Sequence, residues 1–172
     1  LTISNGYATL ANIKDSKRIT STDATDDAVI ERLVESVSRW IDGYTSKHFY
    51  TSSSDETRYF TAEGFDMLFT GPIISVTNLY TDDDGDRTYE NTWLVTDFDL
   101  LPVNAVLDGW SYNSIGTAPL GNFSFPAGVR KGVKIVGKFG YSTTPATVNL
   151  ACIEIVTNIY NNRFGVNNSG AA

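Results

Sequence analysis

The chain has 172 residues, 41% hydrophobic and 19% charged, which is enough for one domain or at most two small ones and too apolar for a disordered chain. Thirteen Lys and Arg against twenty Asp and Glu leave a net charge of −7, which argues against a basic footprint that grips nucleic acid by its phosphates. One cysteine, Cys152, excludes an internal disulfide framework and a Cys-rich zinc site, and no apolar run approaches the ~20 residues of a membrane span.

Taken in order, residues 7–18 predict a short helix, with Thr9 as N-cap, Leu10 and Ile13 on one face, and Lys17 and Arg18 at the negative end of the dipole. A Ser/Thr/Asp-rich turn leads into the clearest periodic segment, from Ala28 to Lys47. There Val29, Ile30, Leu33, Val34, Val37, Trp40, Ile41 and Tyr44 recur at steps of three and four. Thr25 or Asp26 is positioned to cap it, Glu35 and Arg39 are spaced as an i,i+4 pair, and Gly43 weakens the last turn.

The middle of the chain changes period. Residues 58–61, 67–70 and 73–81 predict short strands, the last two separated by Gly71-Pro72. Asp83-Asp84-Gly85-Asp86 marks a hairpin turn between 76–80 and 87–89, and 92–101 continues the sheet. From Asp108 to Gly132 there is little periodicity and much Gly, Ser, Asn and Pro, so this segment is expected to be a contact loop or an ordered excursion. Val133 to Tyr141 alternates as a strand, with Val133, Ile135 and Phe139 on one face and Lys134 and Lys138 on the other. Thr144-Pro145 opens a second strong helix that runs to Phe164, apolar on more than one side, and 165–172 is expected to be a flexible tail. The fold class is α+β: a short N-terminal helix, a long amphipathic helix, a β-rich middle with hairpins, and a C-terminal helix. The helical part covers 7–49 and 145–164 and the β-rich part 57–141 of a single domain, 1–172.

Charge is distributed unevenly. Residues 1–60 sum to −2, residues 61–129 to −9 with Arg87 as their sole base, and residues 130–172 to +4. Such segregation suits faces that meet different partners or other copies of the chain, although ordinary surface composition also fluctuates.

Candidate chemistry is sparse. His48 stands alone near a helix end, where a dipole or solvent role is the ordinary one, and Cys152 lies in an apolar helix as a small core residue. Asp97 and Asp99 are spaced to share one strand face, the minimum for a paired acid–base site, or simply a solvent-facing edge. The Asp82–Asp86 run resembles a calcium loop, but alignment on Gly85 puts Tyr80 and Asn91 at ligand positions, so a turn is the better assignment, with a loosely held surface calcium as the alternative, and no metal or cofactor is expected. No Gly-rich phosphate loop is present. Arg130, Lys131, Lys134 and Lys138 form the one basic strip, suited to an intersubunit ion-pair seam or, with Phe139 and Tyr141, to single-stranded nucleic acid. Trp93 and Trp110 leave a carbohydrate-binding module open as another class, alongside a small hydrolase built on the two aspartates.

Three blocks in fixed order carry a further reading. The first is TLANIKDSK followed by a Thr/Asp-rich turn and TDDAVIERLVESVSRWIDGYTSKHF. The second is Gly71-Pro72-Ile73-Ile74-Ser75-Val76, and the third is VKIVGKFGYSTTPATVNLACIEIVTNIYNNRF, with Ala151, Tyr160 and Arg163 at characteristic places. Together these cover about half the chain and resemble the head–tail connector (adaptor, or head-completion) proteins of long-tailed bacteriophages; the region between Tyr80 and Arg130 lies outside the resemblance.

The resemblance implies a structural virion protein without enzymatic activity or cofactor. It implies a homo-oligomeric ring, usually a dodecamer, docked beneath the portal protein at the head–tail junction and forming part of the DNA exit channel. The ring would carry a stopper or tail-completion protein, and DNA would pass through it without sequence-specific binding. Assembly would take place in the host cytoplasm. A stopper or tail-completion role on a related scaffold is the alternative. On this reading Arg163, Phe164, Val166, Asn167 and Asn168 are candidate partner contacts. Arg130, Lys131, Lys134, Lys138, Ile153, Val156 and Tyr160 are candidate subunit-interface residues.

Overall fold

A computed structural model describes residues 3–164, and the predicted tail, with Val166, Asn167 and Asn168, lies outside the described residues. The chain forms two compact units, one from residues up to 50 together with those from 143 onward, the other from 51–142. The α+β class expected from the sequence is the one observed.

The helical unit holds α1 (Leu10–Lys17), α2 (Asp27–Thr45) and α3 (Ala146–Phe164), and α3 packs against both of the others. Helix α1 begins where its chemistry dictates. The Thr9 hydroxyl accepts the Asn12 amide while the Asn12 side chain accepts the Thr9 amide, a reciprocal box that satisfies two otherwise orphaned donors. Tyr7 and Ala8, expected inside this helix, precede it as buried residues. Helix α2 ends at Ser46, whose left-handed backbone (φ 54°) stops it short of the expected Lys47. Its core face is Ile30, Val34, Val37 and Ile41, packed with Tyr7, Ile13, Cys152, Val156 and Tyr160. Full burial of each aliphatic side chain contributes about 1.5–3 kcal/mol. Helix α3 starts at Ala146, and the Pro145 carbonyl accepts the amides of Val148 and Asn149, so proline is the cap rather than the first helical residue.

The β unit is a six-stranded antiparallel sheet of β1 (Glu56–Phe60), β2 (Met67–Thr81), β3 (Asn91–Trp93), β4 (Phe98–Leu101), β5 (Tyr112–Thr117) and β6 (Val133–Phe139). The order is β1-β6-β2-β5-β4, with β3 paired to the end of β2. Two expectations are corrected here. Gly71-Pro72 bends a single 15-residue strand instead of separating two, because Gly71 takes φ 70° and the pairing with β5 slips between Phe69 and Ile73. The segment 108–132 contains β5, an internal strand between β2 and β4, and also contributes Phe125, which is fully buried. The core face carries Leu68, Ile73, Leu79, Ile115, Val133, Ile135 and Phe139, covered by Trp93, Phe98 and Phe125. Strand β6 alternates as predicted, with Lys134 and Lys138 on the face away from the core.

Among the described residues no helix is long and apolar enough to cross a membrane.

Candidate functional site

The residues that suggested chemistry from sequence are not assembled for it. Asp97 precedes β4 rather than lying in it. Its buried carboxylate accepts the amides of Leu94 (2.8 Å) and Asn122 (3.2 Å), whereas Asp99 is exposed on β4, so the two form no acid–base pair. Cys152 is fully buried beside Ser38, 3.7 Å from its hydroxyl, and burial pushes its thiol up, away from the reactive thiolate. His48 Nδ1 lies 3.2 Å from Asp42. Asp42 is itself the centre of a structural knot. It accepts from the buried Tyr7 hydroxyl and forms an ion pair with Arg39, whose Nε lies 2.9 Å away, and the Tyr7 hydroxyl in turn accepts the Phe49 amide (2.8 Å). The i,i+4 pair expected between Glu35 and Arg39 is absent because Arg39 is committed to Asp42 and to the Asn5 carbonyl, and Glu35 accepts the Ser4 amide.

The turn after β2 is longer than the hairpin turn expected between 76–80 and 87–89 and spans 82–90, so 87–89 forms no strand. Asp82 is buried and its two carboxylate oxygens accept the amides of Gly85 (2.6 Å) and Arg87 (2.9 Å). Burial pushes this carboxyl up, but those amides outweigh it and hold it below the usual range. Asp82, Asp84, Asp86 and Glu90 bring carboxylate oxygens within 4.8 Å of one another, a group with the donor set for a hard divalent cation. The sequence reading missed Glu90, which lies outside the Asp run that drew attention to this turn. The exposed loop is also pinned across the sheet end. Arg87 donates to the Arg130 carbonyl and the Tyr89 hydroxyl to that of Lys131 (2.8 Å).

The four bases of the predicted strip divide into two pairs. Arg130 and Lys131 occupy the turn before β6, while Lys134 and Lys138 project from its outer face. Register places Tyr59, Lys134 and Tyr80 side by side across β1, β6 and β2. The Lys134 ammonium stands 5.0 Å from the Tyr80 ring centre and 5.5 Å from that of Tyr89, and the Tyr59 and Tyr89 rings are 6.0 Å apart.

The apolar interface candidates behave differently. Val156 and Tyr160 are buried within the helical unit, and the partly buried Ile153 packs against its core. The Tyr160 hydroxyl donates to Asp26, the N-cap residue of α2, whose carboxylate therefore makes no capping bond. That hydrogen bond, with burial, pushes the phenol up to about 12. Arg163 lines a cleft of about 330 Å³ with Arg32, Val29, Leu33 and Ser36.

The surface that sequence reasoning did not find lies at the β5–β4 end of the sheet. Phe65, Met67, Phe69, Leu94, Val95, Val103, Val106, Leu107, Trp110 and Leu120 are all exposed there or on its connecting segments. In the helical unit the large hydrophobics left exposed among the described residues are Trp40, Tyr44 and Leu150. Trp93 is buried, stacked on Phe125 at 4.8 Å with its ring N–H donated to Thr81, so Trp93 and Trp110 make no shared carbohydrate platform. The available signal was compositional: residues 88–129 contain no Lys or Arg, so their exposed apolar groups have no long basic side chains beside them in sequence.

No protein-family model matches the chain, and no curated protein matches it. Among solved structures, the fold is similar to that of a chain from the neck of an empty GTA (phage-like gene transfer agent) particle computed with C6 symmetry. The match has a TM-score of 0.55 at 18% identity and covers 100% of this chain and 85% of that one. It agrees with the resemblance to head–tail connector proteins carried by the three sequence blocks.

Proposed function

We propose that the protein is a structural component of the head–tail junction of a tailed phage or phage-like particle, present as a ring of identical copies beneath the portal. The observation that carries this reading is a fold likeness running the full length of the chain to a component of a sixfold-symmetric neck. A subunit of a closed cyclic assembly needs two different contact surfaces, one for each neighbour, and a dodecamer is compatible with sixfold symmetry. The acidic middle third suits a channel wall past which DNA slides, since it offers phosphates no counter-charge. In this role the chain performs no chemistry. It joins the filled head to a stopper or tail-completion protein after assembling in the host cytoplasm. Arg163 and the residues beyond it contribute to the partner contact.

Mixing the purified chain with the portal protein of the same particle and measuring mass tests the reading. The expected result is a discrete complex containing many copies of the chain per portal ring. A chain that stays monomeric and never binds portal at high concentration would overturn it. Binding only after another connector protein has docked would assign the chain to the stopper position. Deleting residues 165–172 is expected to weaken portal association, and undiminished association would remove the tail from the contact.

A further inference from the structure

The sheet of the β unit has two unlike ends. At one end lies β1, paired only with β6, and at the other lies β4, paired only with β5. On the face away from the core, the β1–β6 end presents Tyr59, Lys134 and Tyr80 in one row, with Lys138 four residues further along β6. The β5–β4 end presents a different chemistry on that same face. Met67 and Asp99 flank Gly116, which the Leu101 side chain covers, and Phe69 and Leu101 flank Ser114. Exposed Glu63 and Asp66 border the first row, and they line with Phe65, Met67 and Phe69 a cleft of about 330 Å³. The connecting segments extend this apolar surface at both ends of the β4–β5 pair, through Leu94, Val95 and Leu120 on one side and Val106, Leu107 and Trp110 on the other.

We propose that the apolar, acid-rimmed β5–β4 end of one copy docks on the basic, tyrosine-bearing β1–β6 end of the next. The occupant is thus a second copy of this chain, and the inference rests on the ring reading above. Three observations select it. The two ends are complementary in charge: residues 88–129 hold no Lys or Arg, whereas Lys134 and Lys138 are the charged residues on the outer face of β6. The apolar patch is of a kind that single soluble chains rarely leave uncovered, and amphipathic tyrosines and lysine stems are suitable surfaces to cover it. Finally, β1 and β4 are the two different edge strands of one sheet, so a contact between them is head-to-tail and repeats from copy to copy, as ring closure requires. The acidic 82–90 loop reaches Lys134 through Tyr89 but does not cancel the whole basic patch, because Lys138 stands four residues further along β6.

Cysteine cross-linking of the full chain tests the contact, using exposed positions on the two edge strands: Thr57→Cys on β1 and Asp99→Cys on β4. Cys152 is buried and stays out of the reaction. Differently tagged single variants are mixed, alone at high concentration and with portal, and treated with a short bis-maleimide. The expected product joins Thr57→Cys to Asp99→Cys, and a double variant gives a ladder of multimers. Either single variant linking to itself would mean a two-fold contact and overturn the proposal, as would no product in either setting. Replacing both Lys134→Glu and Lys138→Glu is expected to cut the mixed product about tenfold, and an unchanged yield would overturn the role of charge. Many copies bound to portal without the cross-link would overturn this contact and leave the connector reading standing. The cross-link without portal binding would do the reverse.

Discussion

The helical unit pairs its buried charged and phenolic side chains with one another, Asp42 with Tyr7 and Arg39, Lys14 with Asp27, Tyr160 with Asp26, whereas the β unit satisfies its buried Asp82 and Asp97 with backbone amides. In the β unit the conspicuous leftovers are apolar, from Phe65 and Phe69 on the sheet to Leu107 and Leu120 on the loops. The contrast has a physical basis. Three helices enclose a small core, so side-chain hydrogen bonds between α2, α3 and the N-terminal segment add the specificity that area alone does not supply. The β unit has a complete aromatic and aliphatic core on one face of its sheet and can leave the other face to a neighbour. Among the described residues the helical unit leaves three large hydrophobics exposed, and the β unit leaves many more.

The largest expected effect tests where the β core ends. Phe125→Ala removes a fully buried ring stacked on Trp93 and is expected to cost about 3–5 kcal/mol in denaturant unfolding. Trp110→Ala, in the same stretch but exposed, is expected to change stability by no more than about 0.5 kcal/mol. Equal effects would erase the distinction between core and contact residues in 108–132. The second effect belongs to the helical unit: Asp42→Ala leaves the buried Tyr7 hydroxyl without its acceptor and Arg39 without its ion-pair partner, and is expected to cost about 2–3 kcal/mol. A loss below about 0.5 kcal/mol would show that the polar knot contributes nothing.

Smaller effects follow from pH. Tyr160 titrates near 12 in the folded chain against 10.0 for an ordinary tyrosine, so its contribution is complete below about pH 10 and is lost as pH rises from there toward 12. Burial, helped by Asp42, raises Tyr7 in the same direction. Alkaline titration of phenolate absorbance should therefore find late tyrosines, and Tyr160→Phe should remove one of them and reduce the stability lost over that interval. Asp82 works in the opposite sense. Its carboxyl is held below the ordinary value, so its contribution is present above that value and is lost as pH falls through the lowered one. Asp82→Asn is expected to destabilise the chain slightly at neutral pH and to flatten the acid limb of its stability curve; an unchanged acid limb would deny the Asp82 carboxylate that role.

Much of the helical unit was legible because its signals are local. Thr9 and Asn12 sit at cap and third-residue positions, and the α2 stripe has the helical period. Strand β5 was not legible. Its sequence, YNSIGT, interrupts the strand formers Tyr, Ile and Thr with Asn, Ser and Gly, and its small residues are there for their neighbours: a Cβ at Gly116 would stand 3.0 Å from the Leu101 side chain. The same kind of crowding governs β6, where a Cβ at Gly137 would fall 2.2 Å from the Ser75 carbonyl oxygen. The join of 67–70 to 73–81 was hidden because Gly-Pro ordinarily punctuates, and only the pairing on both sides carries β2 through it. For the candidate surface, segmental charge pointed to unlike faces, but the exposed apolar groups depend on which side of each strand meets the core, a matter of register.

Single-particle imaging of the chain bound to its portal tests the account most directly. The predicted image is a closed ring of identical copies in which the β1–β6 end of each sheet abuts the β5–β4 end of the next. Isolated copies on the portal, or a closed ring whose sheets do not meet at those ends, would contradict it.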